Sequence, residues 1–183
     1  EKIEMVGPGF INFFLTKDFF KNSLKTIIDN GDEFGKNREL EGKKIFIEHT
    51  QPNLFKKFHI GHLMNNTIGE ALKRIIKANG AEVQTATYHG DKGLHVAKAI
   101  WSLLKDGGRE LDAYAKGHQA YEKSESAKKE IIEINKKIYE GSDTKINELY
   151  STGKDSDLRD FSKIYDRLDS DFNHHFLESD TGV

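Results

Sequence analysis

The sequence predicts an α/β protein whose core is a parallel sheet. Two short runs of β-branched and aromatic residues, 44–50 and 82–90, are each followed by a segment of helical periodicity. A strand, helix, strand, helix order within about 65 residues is a βαβ unit, which places its strands in parallel. Beyond Gly108 the periodicity is helical only, so we expect a helical insertion there.

The N-terminal part is predicted to be a small unit of its own. Residues 10–15 form a dense aromatic strand candidate with no evident partner strand upstream, and Thr16 stands where the N-cap of a helix belongs. That helix has a repeating apolar pattern made by Phe19, Phe20, Leu24, Ile27 and Ile28. Residues 29–44 are polar and contain three glycines, which predicts a linker and a domain boundary near Gly42.

The helix after the first core strand is the clearest in the sequence. Gly80 lies just beyond its end. Its apolar residues recur at i, i+3, i+4, i+7 and i+8, namely Ile68, Ala71, Leu72, Ile75 and Ile76. The helix after the second strand is predicted to be closed by Gly107 and Gly108.

The helical insertion is predicted to hold three helices. The first spans residues 120–139, the second spans 145–150, and the third is capped by Ser156. The adjacent residues His174 and His175 are expected on different faces of a helix. The domains are therefore predicted to divide into residues 1–42, 43–108 and 109–183.

Composition excludes several classes of protein. The 183 residues contain 28 Lys and Arg against 30 Asp and Glu, so the net charge of −2 gives no general affinity for nucleic acid or membranes. The chain has no cysteine, which excludes disulfides and cysteine-ligated zinc. It also lacks the roughly 18 consecutive apolar residues of a membrane span. We expect a cytoplasmic monomer that does not enter a membrane.

A histidine pair between the first core strand and its helix is the main candidate site. His59 and His62 lie three residues apart, with Gly61 between them and Lys56 just before. The pair alone allows a metal site or two buried core histidines, but no HExxH pattern supplies further zinc ligands. Its position at a helix N-terminus, at the carboxyl edge of a parallel sheet, favours a phosphate site.

Residues 48–93 resemble the class I aminoacyl-tRNA synthetases, and the arginyl-tRNA synthetase family in particular. The string FHIGHL is similar to the HIGH signature of that class. The pattern of the family matches, in order and without gaps, at Glu48, Pro52, Asn53, Lys56, His59, Gly61, His62, Ile68, Gly69, Ala71, Leu72, Gly90, Asp91 and Gly93. The flanking strings GPGFINFFL and FLESD are similar to the end of the N-terminal domain and of the helical insertion in this family.

The resemblance implies a partial Rossmann-like (HUP-type) nucleotide-binding core. It also implies a fragment, which lacks the start of an N-terminal domain and the C-terminal half, because no KMSK-like string follows. The chain begins with Glu1 rather than Met, and its last residues carry no helix cap. We expect the isolated chain to show little or no aminoacylation.

The resemblance also assigns roles to particular residues. His59, His62 and Lys56 would be catalytic, and together with Gly61 they would bind ATP. The residues that would bind arginine are Glu48, Asn53, Gln51 and Asp91, with the Glu48 carboxylate on the guanidinium. Gln51 departs from the family, which has small hydroxyl residues before the Pro-Asn pair.

The reaction implied is the joining of arginine and ATP to give arginyl-adenylate, followed by transfer to tRNA(Arg). Mg²⁺ would be held through the ATP phosphates, with no protein ligand assigned. Two alternatives stay open at this point. One is a small-molecule nucleotidyltransferase, which also uses an HxGH loop. The other is a non-catalytic module that binds tRNA or a partner protein through the N-terminal and helical regions.

Overall fold

The computed structural model describes residues 2–106 and 112–181. The chain opens with an antiparallel hairpin of two strands, β1 (Lys2–Val6) and β2 (Phe10–Phe14). Gly7 and Gly9 form the turn with positive φ angles of 60° and 123°, which glycine adopts without steric cost. The expectation that β2 lacks an upstream partner is therefore wrong, because β1 pairs along its whole length.

A helix follows the hairpin as predicted. Helix α1 (Lys17–Asn30) begins where the Thr16 hydroxyl accepts a hydrogen bond from the Phe19 amide, and it ends at Gly31. A short 3₁₀ turn, Gly31–Glu33, leads into the predicted linker. No residue of α1 is buried, so within the described residues its apolar side chains cover no core.

The core is a three-stranded parallel sheet, which confirms the predicted α/β fold. Its strands are β3 (Lys44–Glu48), β4 (Glu82–His89) and β5 (His174–Leu177), in the order β3-β4-β5. Helix α2 (Ile60–Ala78) makes the crossover from β3 to β4. The sequence predicts both of these strands and the helix between them because each carries a clear apolar pattern.

Strand β5 corrects the expectation of helices only beyond Gly108. His174 and His175 lie in this strand, where they pair with Ala86 and Thr87 of β4, and not on a helix. Four residues are too short to show alternation, so the pairing with β4 decides their conformation. The chain thus returns to the sheet before the end of the segment predicted to be helical.

The helical insertion lies between β4 and β5. Helix α3 (Leu94–Asp106) follows β4 and precedes the insertion, whose helices are α4 (Ala113–Lys123), α5 (Glu125–Glu140) and α6 (Thr144–Arg167). Helix α7 (Glu178–Thr181) follows β5 and ends the described chain. One apolar cluster joins α3, α5 and α6 through Val96, Ala97, Ile100, Ile131, Ile134, Ile138 and Ile146. The predicted stop at Gly107 and Gly108 lies outside the described residues.

Two predicted helix boundaries in the insertion are wrong. The helix expected over residues 120–139 is broken at Ser124, whose hydroxyl accepts from the Ala127 amide and caps a new helix. Conversely, Ser156 caps nothing, because α6 is one continuous helix. It continues through Gly153, where a β-carbon would lie 2.4 Å from Phe55 Cε1, so tertiary packing outweighs the poor helix propensity of glycine.

A second apolar cluster fixes the insertion against the loop after β3. Leu54 of that loop is fully buried with Phe161 and Tyr165 of α6. The Phe55 amide also donates to Asp157 Oδ2 at 2.5 Å. The loop that carries the predicted site residues therefore packs on the insertion. The three-domain division of the chain stays a prediction.

Candidate active site

The candidate site lies at the carboxyl edge of the parallel sheet. Strands β3 and β4 end at Glu48 and His89, and β5 ends at Leu177, so the loops that follow them meet at one edge. Open α/β sheets bind ligands at this edge. The predicted site residues lie at the end of β3, on the loops after β3 and β4, and at the start of α2.

His59 and His62 cap the N-terminus of α2 reciprocally. The Gly61 amide donates to His59 Nδ1 at 3.1 Å, and the His59 amide donates to His62 Nδ1 at 3.2 Å. The two rings stack with their centroids 3.7 Å apart. The pair therefore takes the place of the serine and glutamate of a capping box.

This arrangement fixes the tautomer of both rings. Because each Nδ1 accepts a backbone N–H, the proton of the neutral imidazole must sit on Nε2. Burial, followed by the neighbouring His59 and Lys56, lowers the pKa of His62 below its usual range, so that ring is neutral near pH 7. Each ring thus has an Nε2–H donor beyond the two bonds of the cap.

Gly61 allows the His59 ring to lie close to the main chain. A β-carbon at Gly61 would stand 3.0 Å from His59 Cε1 and 3.1 Å from Nδ1. The family resemblance assigned this glycine to the binding of ATP. The ring that approaches it in the structure is that of His59.

Glu48 and Gln51 form a pair at the end of β3. The Gln51 side-chain amide donates to Glu48 Oε1. Thr50 and Gln51 have positive φ angles of 77° and 50°, an unusual conformation for a β-branched residue and its neighbour. This strained turn brings the side chain of Gln51 back to Glu48. Gln51 therefore contacts the residue that is predicted to bind the guanidinium of arginine.

A buried polar network holds the strained turn in place. His49 Nδ1 lies 2.8 Å from Thr50 Oγ1, and Asn66 of α2 donates to the same hydroxyl at 3.2 Å. Ser170, just before β5, donates to Asn66 Oδ1 at 2.9 Å. A β-carbon at Gly69 would lie 2.2 Å from His49 Cγ, so only glycine allows α2 to approach so closely.

Asn53 lies against the end of β4. A β-carbon at Gly90 would stand 2.6 Å from Asn53 Oδ1 and 3.4 Å from Glu178 Oε2. The loop is tied there by two further contacts, from the Leu54 amide to Gly90 O at 3.0 Å and from His89 Nδ1 to Pro52 O at 2.9 Å. Glu178 was missed as a site residue, because its approach depends on β5 returning to the sheet.

Lys56 extends from the same loop toward the insertion. Its ammonium lies 4.5 Å from the centroid of the Tyr114 ring, a cation–π contact. Lys56 also lies close enough to His62 and His95 to help lower the pKa of each ring, behind the larger effect of burial. The neighbouring Lys57 forms an ion pair with Asp112 at 2.5 Å, so the two lysines have different partners.

Asp91 does not present a free carboxylate to the site. It is fully buried, and its oxygens accept hydrogen bonds from Tyr150 and Ser179. A direct contact with arginine would require one of these bonds to break. Of the eight predicted site residues, Asp91 alone is fully buried.

The described residues contain neither a cluster of metal ligands nor a membrane-spanning helix. Within 2–106 and 112–181, no group of three or more His, Asp or Glu side chains is placed to hold a metal ion. The described helices also include none with the length and apolar character needed to cross a membrane.

The parallel sheet with its helical crossover and the histidine pair at the start of α2 are the features expected of a class I aminoacyl-tRNA synthetase catalytic domain. The sequence model of a family described as tRNA synthetases class I (R), catalytic domain, matches residues 23–175. The chain belongs to this family of arginyl-tRNA synthetase catalytic domains. The match decides against a small-molecule nucleotidyltransferase.

Curated relatives agree with this assignment. The arginine–tRNA ligase of Clostridium kluyveri is 36% identical over 190 residues, which cover 98% of this chain and 33% of the relative. That of Clostridium botulinum strain Loch Maree is 35% identical over 184 residues, with 94% and 32% covered. The chain therefore spans about a third of the length of these relatives.

Solved structures show the same fold at lower identity. A putative arginyl-tRNA synthetase from Campylobacter jejuni superposes with a TM-score of 0.61 at 19% identity, covering 92% of this chain and 38% of the other. The Plasmodium falciparum arginyl-tRNA synthetase gives 0.56 at 20% identity, covering 98% and 33%.

Proposed function

We propose that this chain supplies one part of the active site of an arginine–tRNA ligase. In the first reaction an oxygen of the arginine carboxylate attacks the α-phosphorus of ATP. The bond from that phosphorus to the bridging oxygen breaks, giving arginyl-adenylate and pyrophosphate. The second reaction transfers the arginyl group to tRNA(Arg). The observation that carries the proposal is the reciprocal histidine cap at the carboxyl edge of the sheet, in a chain of this family.

The histidine cap suits the charge that develops in adenylate formation. The transition state spreads negative charge over phosphate oxygens, so catalysis depends on positioned donors. His59 and His62 offer their Nε2–H groups while their Nδ1 atoms are held by the backbone. The N-terminus of α2 adds free N–H groups and a partial positive charge. Lys56, on the same loop, would turn from Tyr114 to the triphosphate.

The loop after β3 suits the arginine substrate. The Glu48 carboxylate can bind a guanidinium through two parallel hydrogen bonds, and its contact with Gln51 restricts its rotamer. Asn53 offers an amide beside Gly90. The carboxylate of Glu178 lies close to it and is the second carboxylate of the proposed site, after that of Glu48. We assign Asp91 a role in position and not in direct contact.

The chain is proposed to act as part of a longer catalytic unit. It matches a third of its curated relatives, so the isolated 183 residues should show little or no aminoacylation. We further propose a monomer that works in the cytoplasm, with Mg²⁺ accompanying ATP. We assign no residue of this chain to that Mg²⁺.

A binding experiment on the chain itself tests the proposal. Addition of ATP to isotope-labelled protein should shift the amide NMR signals of His59, Gly61 and His62. Addition of arginine should shift Glu48 and Asn53, with lysine as the matched control because its ammonium cannot copy the bidentate geometry. Equal effects of arginine and lysine, or ATP effects confined to other surfaces, would contradict the proposal.

A further inference from the structure

Asp91 connects three segments that are distant in sequence. Its Oδ1 accepts from the Ser179 amide at 2.8 Å, and its Oδ2 accepts from the Ser179 hydroxyl at 2.7 Å and from the Tyr150 hydroxyl at 2.6 Å. Tyr150 lies in α6, and Ser179 lies in α7, directly after β5. Asp91 itself follows β4 and is 0% exposed.

The charge state of this cluster is settled by the same contacts. Burial alone would raise the pKa of Asp91, but the donors from Tyr150 and Ser179, with Lys154 nearby, hold that pKa below its usual range. Burial and the adjacent carboxylate raise the pKa of the Tyr150 hydroxyl. The carboxylate is thus ionised while the phenol keeps its proton, which makes these hydrogen bonds charge-assisted.

The neighbours of the cluster are residues of the candidate site. Gly90 precedes Asp91 and touches Asn53, while Glu178 precedes Ser179. Because a point 3.4 Å from Glu178 Oε2 is also 2.6 Å from Asn53 Oδ1, the two side-chain oxygens stand within about 6 Å of each other. The hydrogen bonds between Ser179 and Asp91 therefore lie one residue away from both Glu178 and Gly90.

We propose that Asp91 is a positioning residue that holds Glu178 beside Asn53. Tyr150 of α6 donates to the same carboxylate. Asp91 therefore fixes both the helical insertion and the segment formed by β5 and α7 to the end of β4. A contact of Glu178 and Asn53 with arginine is a further step, and this step rests on the proposed function. The placement of Glu178 does not.

The test is a distance measurement on the folded chain. Nuclear Overhauser contacts between the Glu178 side chain and the Asn53 amide or Gly90 should be present in the wild type and lost in Asp91→Ala. Asp91→Asn should keep part of them, because the Tyr150 and Ser179 hydroxyls can turn to accept from the new amide. Tyr150→Phe and Ser179→Ala each remove one donor and should weaken them, which provides evidence even if Asp91→Ala does not fold.

A control separates positioning from general loss of stability. Ser124→Ala removes the cap of α5, where the Ser124 hydroxyl accepts from the Ala127 amide at 3.3 Å, on a helix other than those that carry Tyr150 and Ser179. It should destabilise the chain while keeping the Glu178 to Asn53 contacts. Persistence of those contacts in folded Asp91→Ala, Tyr150→Phe and Ser179→Ala would overturn the proposal.

A second readout links the position to substrate use. In a ligase that contains this chain, Ser179→Ala should raise the KM for arginine about 10- to 100-fold, a range typical of misplacement by about 1 Å, and leave the KM for ATP unchanged. Equal changes in both would show a structural role only. If the Glu178 contacts are present in the wild type but arginine causes no NMR shift at Glu48 or Asn53, the proposed function is contradicted. The positioning of Glu178 by Asp91 would not be contradicted by that result.

Discussion

His59 and His62 stack at 3.7 Å, and each accepts a backbone N–H through Nδ1. The two rings therefore perform two tasks at once. They stabilise the start of α2, and they keep a proton on each Nε2. A change that preserves the first task while removing the second can separate stability from nucleotide binding.

The first prediction concerns that separation. His59→Ala should lower the free energy of unfolding by about 1 kcal/mol, because the N-cap acceptor is lost. His59→Asn should keep most of this stability, since asparagine is a good N-cap, yet it should lose the ATP-induced shifts because the Nε2–H is gone. Urea unfolding and NMR titration check both. Normal ATP response in His59→Asn would contradict the role of the ring.

A second prediction compares two adjacent asparagines of α2. Asn66 is 2% exposed and bonded to Thr50 and Ser170, whereas Asn65 is exposed to solvent. Asn66→Ala should cost about 1 to 3 kcal/mol, because buried partners lose their hydrogen bonds. Asn65→Ala should be neutral or slightly stabilising, since alanine favours helix. Equal unfolding free energies for the two variants would show that the network does not support the turn.

The third prediction is a loss of stability in mild acid. The pKa values of His49, His62, His89, His95 and His175 are each lowered, with burial as the largest cause. The unfolded chain therefore binds more protons than the folded chain below about pH 6.5, so stability is full above that pH and falls as these sites protonate.

Urea unfolding at pH 7.5, 6.5 and 5.5 measures this effect. The lowered pKa of Asp91 does not affect stability in this pH range. Its contribution to the free energy of unfolding is present above about pH 4 and is lost below it. The raised pKa of Asp157 has the opposite sign, and Asp157→Asn removes it. An unfolding free energy that does not change between pH 7.5 and 5.5 in this variant would be inconsistent with buried neutral histidines.

A fourth prediction addresses Gln51. Gln51→Ala should free the Glu48 carboxylate and weaken arginine binding by about 3- to 10-fold, the effect of roughly one lost hydrogen bond. ATP binding should not change, because Gln51 is not part of the histidine cap. Gln51→Glu should weaken arginine binding further, because it places a second negative charge beside Glu48 and disrupts the pair. Titrations that show no difference among the three proteins would assign Gln51 a structural role.

Sequence patterns predicted the elements that carry a clear run of β-branched and aromatic residues or a repeated helical spacing of apolar residues. Strands β3 and β4, with α2 between them, follow from such patterns, and the HIGH-like string located the histidine cap. Strand β5 did not follow, because its four residues gain their conformation from pairing with β4. Glu178 and the contacts of Asp91 were missed for the same reason, since they depend on where β5 brings the chain.

The reciprocal bonds of the cap were also beyond sequence reasoning. Spacing alone left His59 and His62 open to a metal, a core or a phosphate role. The choice of Nδ1 as acceptor on both rings appears only in the folded helix start. The same holds for Gln51, whose turn back to Glu48 depends on positive φ angles that no local pattern indicated.

Arginine-dependent exchange of pyrophosphate into ATP tests the central claim most directly. This chain can replace the matching third of the Clostridium kluyveri ligase, to which it aligns over 98% of its length. The chimera should exchange pyrophosphate when arginine is present and not with lysine, and the double variant His59→Asn with His62→Asn should lose this exchange while still folding. A folded chimera whose exchange is unaffected by that double variant, or independent of arginine, would contradict the account.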